Sequence, residues 1–277
     1  MKRFISVLLT VLMLCSALFL SACSDDDRVT TTTKGDGNGP TPEGSQKLVE
    51  DSIAKISDLD SYHAVMTQNI NVSMQGISME MPINVDIKVT GAKTDDVRMY
   101  AIQDMEMMGE TLITELYIEG DYIYLDSDGY QAKISKDEIG DTDQLSYDKT
   151  VKELLQVLPD DVMKDVMIKY NDLGNRYVEV EFDSAKFLEF YKGNIEDVSS
   201  NLGISVDDLQ INDSKVRVVI GNDGYVKEYT LTYKMAITIS EQTASADVSL
   251  KIEFINPGKA VTITPMQGYK DFPLMDY

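Results

Sequence analysis

Two short patterns bring together residue types that could carry out acid–base or metal chemistry. His63 is the only histidine of the chain, and an imidazole can act as a general base near neutral pH. No metal-ligand spacing and no cysteine nucleophile accompany it, so a histidine at the surface or at the entry of a strand is the favoured interpretation. The run from Asp126 to Gly129 contains the first two acids of a calcium loop. Tyr130 and Asp137 stand where that loop needs a third acid and a glutamate, so a hairpin turn is predicted instead.

A third pattern, Ser146-Tyr-Asp-Lys149, has the Ser-x-x-Lys spacing of penicillin-binding enzymes, in which the serine is acylated and the lysine helps to activate it. The Ser-Asp-Asn and Lys-Thr-Gly partners of that motif are absent from the sequence. Ser146 also opens a predicted helix, and a role as its N-cap explains the residue. Phosphate-binding Gly-rich loops, HExxH and GxSxG are absent too. The sequence therefore predicts a protein that is not an enzyme and has no metal site and no cofactor.

The charge balance excludes another class of function. The chain has 25 Lys and Arg against 47 Asp and Glu, a formal net charge of −22. Nucleic-acid binding depends on clustered Lys and Arg, so no nucleic-acid partner is expected. The acidic excess favours a well-solvated surface. With 43% hydrophobic residues, the chain is neither disordered throughout nor a polytopic membrane protein.

The N-terminus has the features of an export signal. Lys2 and Arg3 precede an almost wholly apolar stretch from Phe4 to Leu20, and the small residues Ser21 and Ala22 follow. A charged start, a short apolar centre and a small-residue cleavage site are typical of a secretory signal peptide, predicted here over residues 1–22.

The run Leu20-Ser-Ala-Cys23 resembles the lipobox of bacterial lipoproteins. The resemblance implies cleavage before Cys23, a diacylglyceryl thioether on its sulfur and a third acyl chain, such as palmitate, on its new amine. Two acyl chains suffice for stable anchoring, so an exported protein anchored to the outer face of the cell membrane is expected. Cleavage also removes Cys15, which leaves no pair of cysteines for a disulfide.

A flexible tether and one folded domain are predicted after the anchor. Residues 23–44 are rich in Thr, Gly, Asp and Pro, and the 21 residues after Cys23 span about 25 Å as a random coil. Residues 45–277 contain no second linker and are predicted to form a single domain.

Period-two alternation is the clearest structural pattern of this domain. A first helix is predicted over Ser45–Leu59, and an alternating strand follows in which Gln68 is the only polar interruption of the apolar positions. The alternation switches parity at Gly76, where a turn is expected. Every odd position of the next strand is then apolar: Ile77, Met79, Met81, Ile83, Val85, Ile87 and Val89. Such one-sided strands are typical of a half-buried antiparallel sheet.

Further strands and helices complete the pattern. Helices are predicted over Ser146–Leu158, Asp160–Lys169, Asp183–Tyr191 and Ile195–Leu202. Strands are predicted over Val97–Met107, Thr111–Glu119, Asp121–Leu125, Tyr177–Phe182 and Val216–Ile220, and two long strands end the sheet near Phe254. The sequence therefore predicts an α+β fold, a mostly antiparallel sheet whose apolar side is covered by helices.

This order of elements, together with two phrases, resembles a known superfamily. The phrases are Tyr117-Ile-Glu-Gly-Asp-Tyr-Ile-Tyr124 and Asn256-Pro-Gly-Lys-Ala-Val-Thr-Ile-Thr-Pro265. The chain is similar to the LolA/LolB/LppX lipoproteins over roughly residues 45–265, and most similar to LolA-like lipoproteins of Gram-positive bacteria. The resemblance implies an incurved antiparallel half-barrel sheet, with helices covering a concave apolar face that can accept acyl chains.

Methionines on the apolar strand faces point to an adaptable surface, because flexible thioethers fit varied apolar shapes. Two interpretations stay open: a hydrophobic trough that binds or carries a lipid or other apolar ligand, or a solid-cored module that binds an envelope protein through its acidic face or a sheet edge. For the trough, the candidate ligand-binding residues are Met79, Met81, Ile83, Val85, Ile87, Met105, Met107, Met235, Ile237, Leu250 and Ile252.

Overall fold

The computed structural model describes most of the predicted domain. The described residues are 42–94, 96–107, 109–136, 163–170, 176–186, 189, 209–239 and 242–275. The predicted signal peptide and residues 23–41 of the predicted tether lie outside them. So do the predicted helices at 146–158 and 195–202, and with them Ser146 and Lys149.

The first element is a helix, α1, over Pro42–Ser57. It begins three residues before the predicted start at Ser45. Val49, Ser52 and Ile56 are buried on one side of it, and the Ser52 hydroxyl donates to the Leu48 carbonyl oxygen at 2.7 Å. The helix packs against β7, β9 and β10 of the sheet defined below. None of the helices in the described part of the chain is long and apolar enough to cross a membrane.

In the described part of the chain, eleven antiparallel strands form one sheet in the order β6-β5-β4-β3-β2-β1-β11-β10-β9-β8-β7. Neighbours in the sheet are also neighbours in the chain, except for β1 and β11. The strands β6 and β7 are the two edges, so the sheet is open. The strands are β1 Ser61–Met74, β2 Ile77–Thr90, β3 Arg98–Met107, β4 Glu110–Glu119, β5 Tyr122–Ser127, β6 Tyr130–Ser135, β7 Met163–Tyr170, β8 Arg176–Phe182, β9 Leu209–Ile220, β10 Val226–Ile239 and β11 Gln242–Phe254.

The turn between β1 and β2 explains the predicted change of parity. Gln75 and Gly76 both adopt positive φ, 53° and 79°, the backbone of a two-residue hairpin turn whose twist matches that of the strands. Met74 then lies opposite Ile77, and Ala64 opposite Ile87. The apolar residues of the two strands consequently share one face of the sheet.

Two sequence predictions of local structure are wrong or incomplete. A helix was expected over Asp160–Lys169, but Met163–Tyr170 forms β7, in which Val166 and Ile168 lie opposite Val180 and Val178 of β8. Short apolar runs fit either period, and pairing with a neighbouring strand decides the outcome. The sequence analysis also missed β6.

Asp183 caps the start of the helix predicted over Asp183–Tyr191. Its Oδ1 accepts hydrogen bonds from the backbone N–H groups of Ala185 and Lys186, at 3.1 and 3.2 Å, and residues 184–186 are helical. The large one-sided antiparallel sheet is confirmed as well.

Candidate functional site

The strand register places all of the predicted ligand-binding residues on one face of the sheet, called here the apolar face. Cross-strand partners share a face, and the pairs Ile83–Met105, Gln68–Ile83 and Gln68–Leu250 link β3, β2, β1 and β11. On β10, Met235 and Ile237 pair with Ala246 and Ala244 of β11, on the same face. The predicted ligand-binding residues differ in burial. Seven of them are fully buried and pack in one cluster: Met81, Val85, Ile87, Met235, Ile237, Leu250 and Ile252.

The remaining candidates lie on β2 and β3. Met79, Ile83 and Met105 are half-buried, and for Met107 the structure describes only the backbone. Ile83 lies opposite Met105, which lies opposite Leu112 of β4, and Leu112 is 39% exposed. This row of apolar side chains crosses β2, β3 and β4, whereas α1 packs against β7, β9 and β10, towards the other end of the strand order. Leu112 was missed in the sequence, because β4 carries polar Thr114 within its apolar positions.

A few polar side chains interrupt the apolar face. Gln68 is only 7% exposed, and its Nε2 has no hydrogen-bond partner among the described residues. On β3, β4 and β5, Gln103, Thr114 and Ser127 lie opposite one another, with the two hydroxyl oxygens 3.2 Å apart. Ser214 of β9 is 2% exposed, and none of the described residues is a hydrogen-bond partner of its Oγ. Gln68 was visible in the sequence as the one polar break in the alternation of β1.

The opposite face of the sheet is polar and holds a groove of about 630 Å³. Amides and hydroxyls from β1, β10 and β11 line it beside charged residues of both signs. Lys234 donates to Asp213 at 2.8 Å, and this hydrogen bond lowers the pKa of the Asp213 carboxyl and raises that of Lys234. The groove is therefore suited to polar contacts, on the face away from the predicted ligand-binding residues.

Near the β6 edge, the C-terminal segment packs on the polar face. Met266 and Phe272 are buried there against Tyr117 and Tyr124. The ring of Tyr269 lies edge-on to both tyrosines, with centroid distances of 4.9 and 4.8 Å. These five residues, called here the tyrosine cluster, were not found in the sequence, because their contacts join positions about 150 residues apart.

One hydrogen bond fixes the tyrosine cluster to the sheet. The Tyr269 hydroxyl donates to Glu119 Oε2 at 2.6 Å. This bond lowers the pKa of Glu119 and raises the pKa of Tyr269 to about 12. Burial raises the pKa of Tyr117 and Tyr124 as well.

The same segment continues along the edge strand β6. The Lys133 N–H donates to the Pro273 carbonyl oxygen, and the Met275 N–H donates to the Lys133 carbonyl oxygen, both at 2.8 Å. Lys133 also places its ammonium over the Tyr122 ring, 3.7 Å from the centroid. The C-terminal residues thus cover part of an edge that would otherwise offer free backbone groups to another chain.

The residues considered first for acid–base or metal chemistry make ordinary structural contacts. His63 is half-buried on the polar face, with Nε2 2.9 Å from Asp86 Oδ2. Asp126 Oδ1 accepts from the Gly129 N–H at 3.0 Å in a hairpin turn, in which Asp128 and Gly129 adopt positive φ, so the hairpin prediction is confirmed. Within the described ranges, no three His, Cys, Asp or Glu side chains are grouped to hold a metal ion.

Several solved structures are similar to this open antiparallel sheet. LprF from Mycobacterium bovis is 18% identical over 81% of this chain and 97% of its own, with a TM-score of 0.42. The Mycobacterium tuberculosis lipoprotein LppX is 12% identical over 81% of this chain and 100% of its own, with a TM-score of 0.40. The LolA superfamily protein NE2245 from Nitrosomonas europaea is 11% identical over 75% of this chain and 92% of its own, with a TM-score of 0.23.

LppX and the LolA superfamily protein belong to the superfamily that the sequence resembles. Residues 44–265 match a family described as a family of unknown function (DUF6612), and the chain belongs to that family. No curated protein matches the chain. The TM-scores lie below 0.5, so these structures do not establish the function of this chain.

Proposed function

We propose that the protein is a membrane-anchored lipoprotein that binds or carries a lipid or another apolar ligand on its apolar face. The observation that carries the proposal is the row Ile83–Met105–Leu112, which leaves apolar side chains partly exposed on three adjacent strands. An acyl chain laid across this row would leave water, and each buried CH₂ contributes about 0.8 kcal/mol before ordering costs. The methionines would let the surface adapt to chains of different shape.

We also propose that a helical lid covers the bound ligand. The sheet would curve as a half-barrel with its apolar face concave, and the predicted helices at 146–158 and 183–202 would form a lid over it. Binding would be non-covalent, and the protein would not be an enzyme. This agrees with the surroundings of His63, which faces Asp86 on the polar side.

The anchor and the tether would set where binding happens. Acylation of Cys23 would hold the protein on the outer face of the cell membrane. The predicted tether would let the domain stand off the bilayer, and the three acidic residues beside the anchor, Asp25 to Asp27, would be repelled by anionic headgroups.

Native mass spectrometry of the unacylated mature chain, purified without detergent and then extracted with solvent, tests the proposal. A co-purifying lipid mass that is lost on denaturation is expected. A clean apo mass with no uptake of added lipid or of a fluorescent apolar probe would contradict it. The solid-cored module would then be favoured, with the polar groove as the first surface to examine for an envelope protein.

Adjacent residues of β4 provide a matched pair of variants. Leu112 faces Met105 on the apolar face, whereas Ile113 faces Asp104 on the polar face, and the two are 39% and 48% exposed. Leu112→Asp should reduce ligand retention, and Ile113→Asp should leave it unchanged. Equal losses in both variants would show that the apolar face has no special role.

A further inference from the structure

We propose that the side-chain amide of Gln68 is a specificity-determining hydrogen-bond donor, which binds a neutral carbonyl oxygen embedded in the hydrocarbon of the ligand. This inference rests on the proposed function, and it adds a chemical requirement to it. A purely apolar surface would accept a hydrocarbon and an acyl ester equally. A buried donor would favour the ester.

The position of Gln68 makes it an unusual residue for a sheet core. It lies at the centre of a cross-strand row, between Leu250 of β11 and Ile83 of β2, and the row continues to Leu231 and Met105. At 7% exposure, its Nε2 has no hydrogen-bond partner in the part of the chain that the structure describes. Removing an amide donor from water without replacing its hydrogen bonds is costly. A ligand oxygen would satisfy this donor, whereas a hydrocarbon would not.

The neighbouring rows indicate that the bound group is neutral. On the apolar face of β10, β11, β1 and β2, the row of Gln68 and the two nearest rows of that face contain no charged residue. A phosphate or carboxylate beside Gln68 would therefore be buried without a countercharge. An ester or amide carbonyl carries no such penalty. The other residues of these rows are Leu231, Leu250, Ile83, Tyr229, Ile252, Met66, Val85, Tyr233, Val248, Ile70 and Met81.

A second buried polar atom belongs to the same surface. Ser214 lies where the register between β9 and β10 shifts, between the pairs Thr232–Lys215 and Lys234–Asn212. Its Oγ has no hydrogen-bond partner within the described ranges, and the residue is 2% exposed. Ser214 and Gln68 are three strands apart in the sheet, about 14 Å at the usual strand spacing, so they would contact separate parts of one ligand.

The test compares two lipids of equal hydrocarbon content: 1,2-diacylglycerol and its 1,2-dialkyl ether analogue, which lacks both carbonyl groups. The unacylated mature chain is titrated with each, delivered from cyclodextrin, and displacement of a fluorescent apolar probe is followed. Wild-type protein should bind the diacyl lipid about tenfold more tightly, the effect of one buried hydrogen bond. Gln68→Met, which keeps the length of the side chain, should remove this preference by weakening the diacyl lipid alone. Leu231→Met, in the same row, should keep it.

The outcomes separate this inference from the proposed function. If wild-type protein binds both lipids and Gln68→Met changes neither affinity, the role of Gln68 is refuted and lipid binding stands. If wild-type protein binds neither lipid nor the probe, the proposed function fails and this inference with it. Thermal unfolding of the ligand-free variants gives an independent check. Gln68→Met should match or exceed the wild-type Tm, because it removes an unsatisfied donor, and a clearly lower Tm would show that the amide has a structural partner.

Discussion

The hydrogen bond between Tyr269 and Glu119 offers a sharp test of how the C-terminal segment is held. Tyr269→Phe removes only the hydroxyl, and the ring keeps its edge-on contacts with Tyr117 and Tyr124. The carboxylate of Glu119 keeps Arg98, whose Nε lies 3.5 Å from its Oε1. The change therefore isolates one 2.6 Å hydrogen bond.

The stability lost in Tyr269→Phe depends on the charge of Glu119 and on how exposed its side chain is. Hydrogen bonds to charged groups contribute about 1.5–3 kcal/mol. The Glu119 side chain is 28% exposed, which places this bond at the low end, about 1.5 kcal/mol. For a domain of this size, such a loss lowers the Tm by about 3–6 °C.

The effect of Tyr269→Phe should depend on pH in a defined direction. The bond lowers the pKa of Glu119 in the folded state. Its contribution is therefore present above the unfolded pKa of the carboxyl and is lost as the pH falls through the folded value. The difference in Tm between wild type and variant should accordingly be largest near pH 7 and narrow towards pH 3.

Circular dichroism melts at several pH values provide the assay, and Tyr130→Phe is the matched control. Tyr130 is 61% exposed, so loss of its hydroxyl should leave the Tm unchanged. Equal Tm values for both variants at pH 7 would refute the reasoning. A difference that grows at acidic pH would refute the assignment of the effect to Glu119.

Two further predictions concern alkaline pH and the anchor. Four tyrosines have raised pKa values, so their protonated forms stabilise the fold below about pH 10, and this contribution is lost as the pH rises further. Absorbance titration should show a group of tyrosines that ionise only above the ordinary tyrosine pKa, as the circular dichroism spectrum of the folded protein is lost. A single smooth transition near the ordinary tyrosine pKa would contradict this prediction. The group comprises Tyr100, Tyr117, Tyr124 and Tyr269. Cys23→Ser should abolish incorporation of labelled fatty acid and release the protein from membranes, whereas Cys15→Ser should have no effect, and retained labelling in Cys23→Ser would exclude the proposed anchor.

The sheet could be predicted wherever the local alternation was strong. In β1 and β2 the apolar positions repeat every second residue and change parity at Gly76, so the strands, the turn and the shared face all follow from the sequence. The same alternation placed Met235 and Leu250 on that face. In these strands, local preference and tertiary pairing agree.

The remaining features depend on contacts between distant residues. The β7 segment fits a helical spacing as well as a strand spacing, and it is a strand because it pairs with β8. The tyrosine cluster joins Tyr269 to Tyr117 across the sequence, without any local pattern. Gln68 was visible as a break in the alternation, but only its burial and its unpartnered Nε2 give it a candidate role.

The pairing of β1 with β11 affects how the chain reaches its fold during synthesis. The paired residues of these two central strands lie 170 to 190 positions apart in the chain. Among the described strands, this is the one pairing between strands that are not consecutive. A chain made from its N-terminus completes β1 early but has to wait for residue 254 before the second edge of that strand is paired. During this interval β1 presents free backbone groups beside an apolar surface, the arrangement that promotes aggregation. We therefore expect slow folding from this high contact order, with the middle of the sheet completed last.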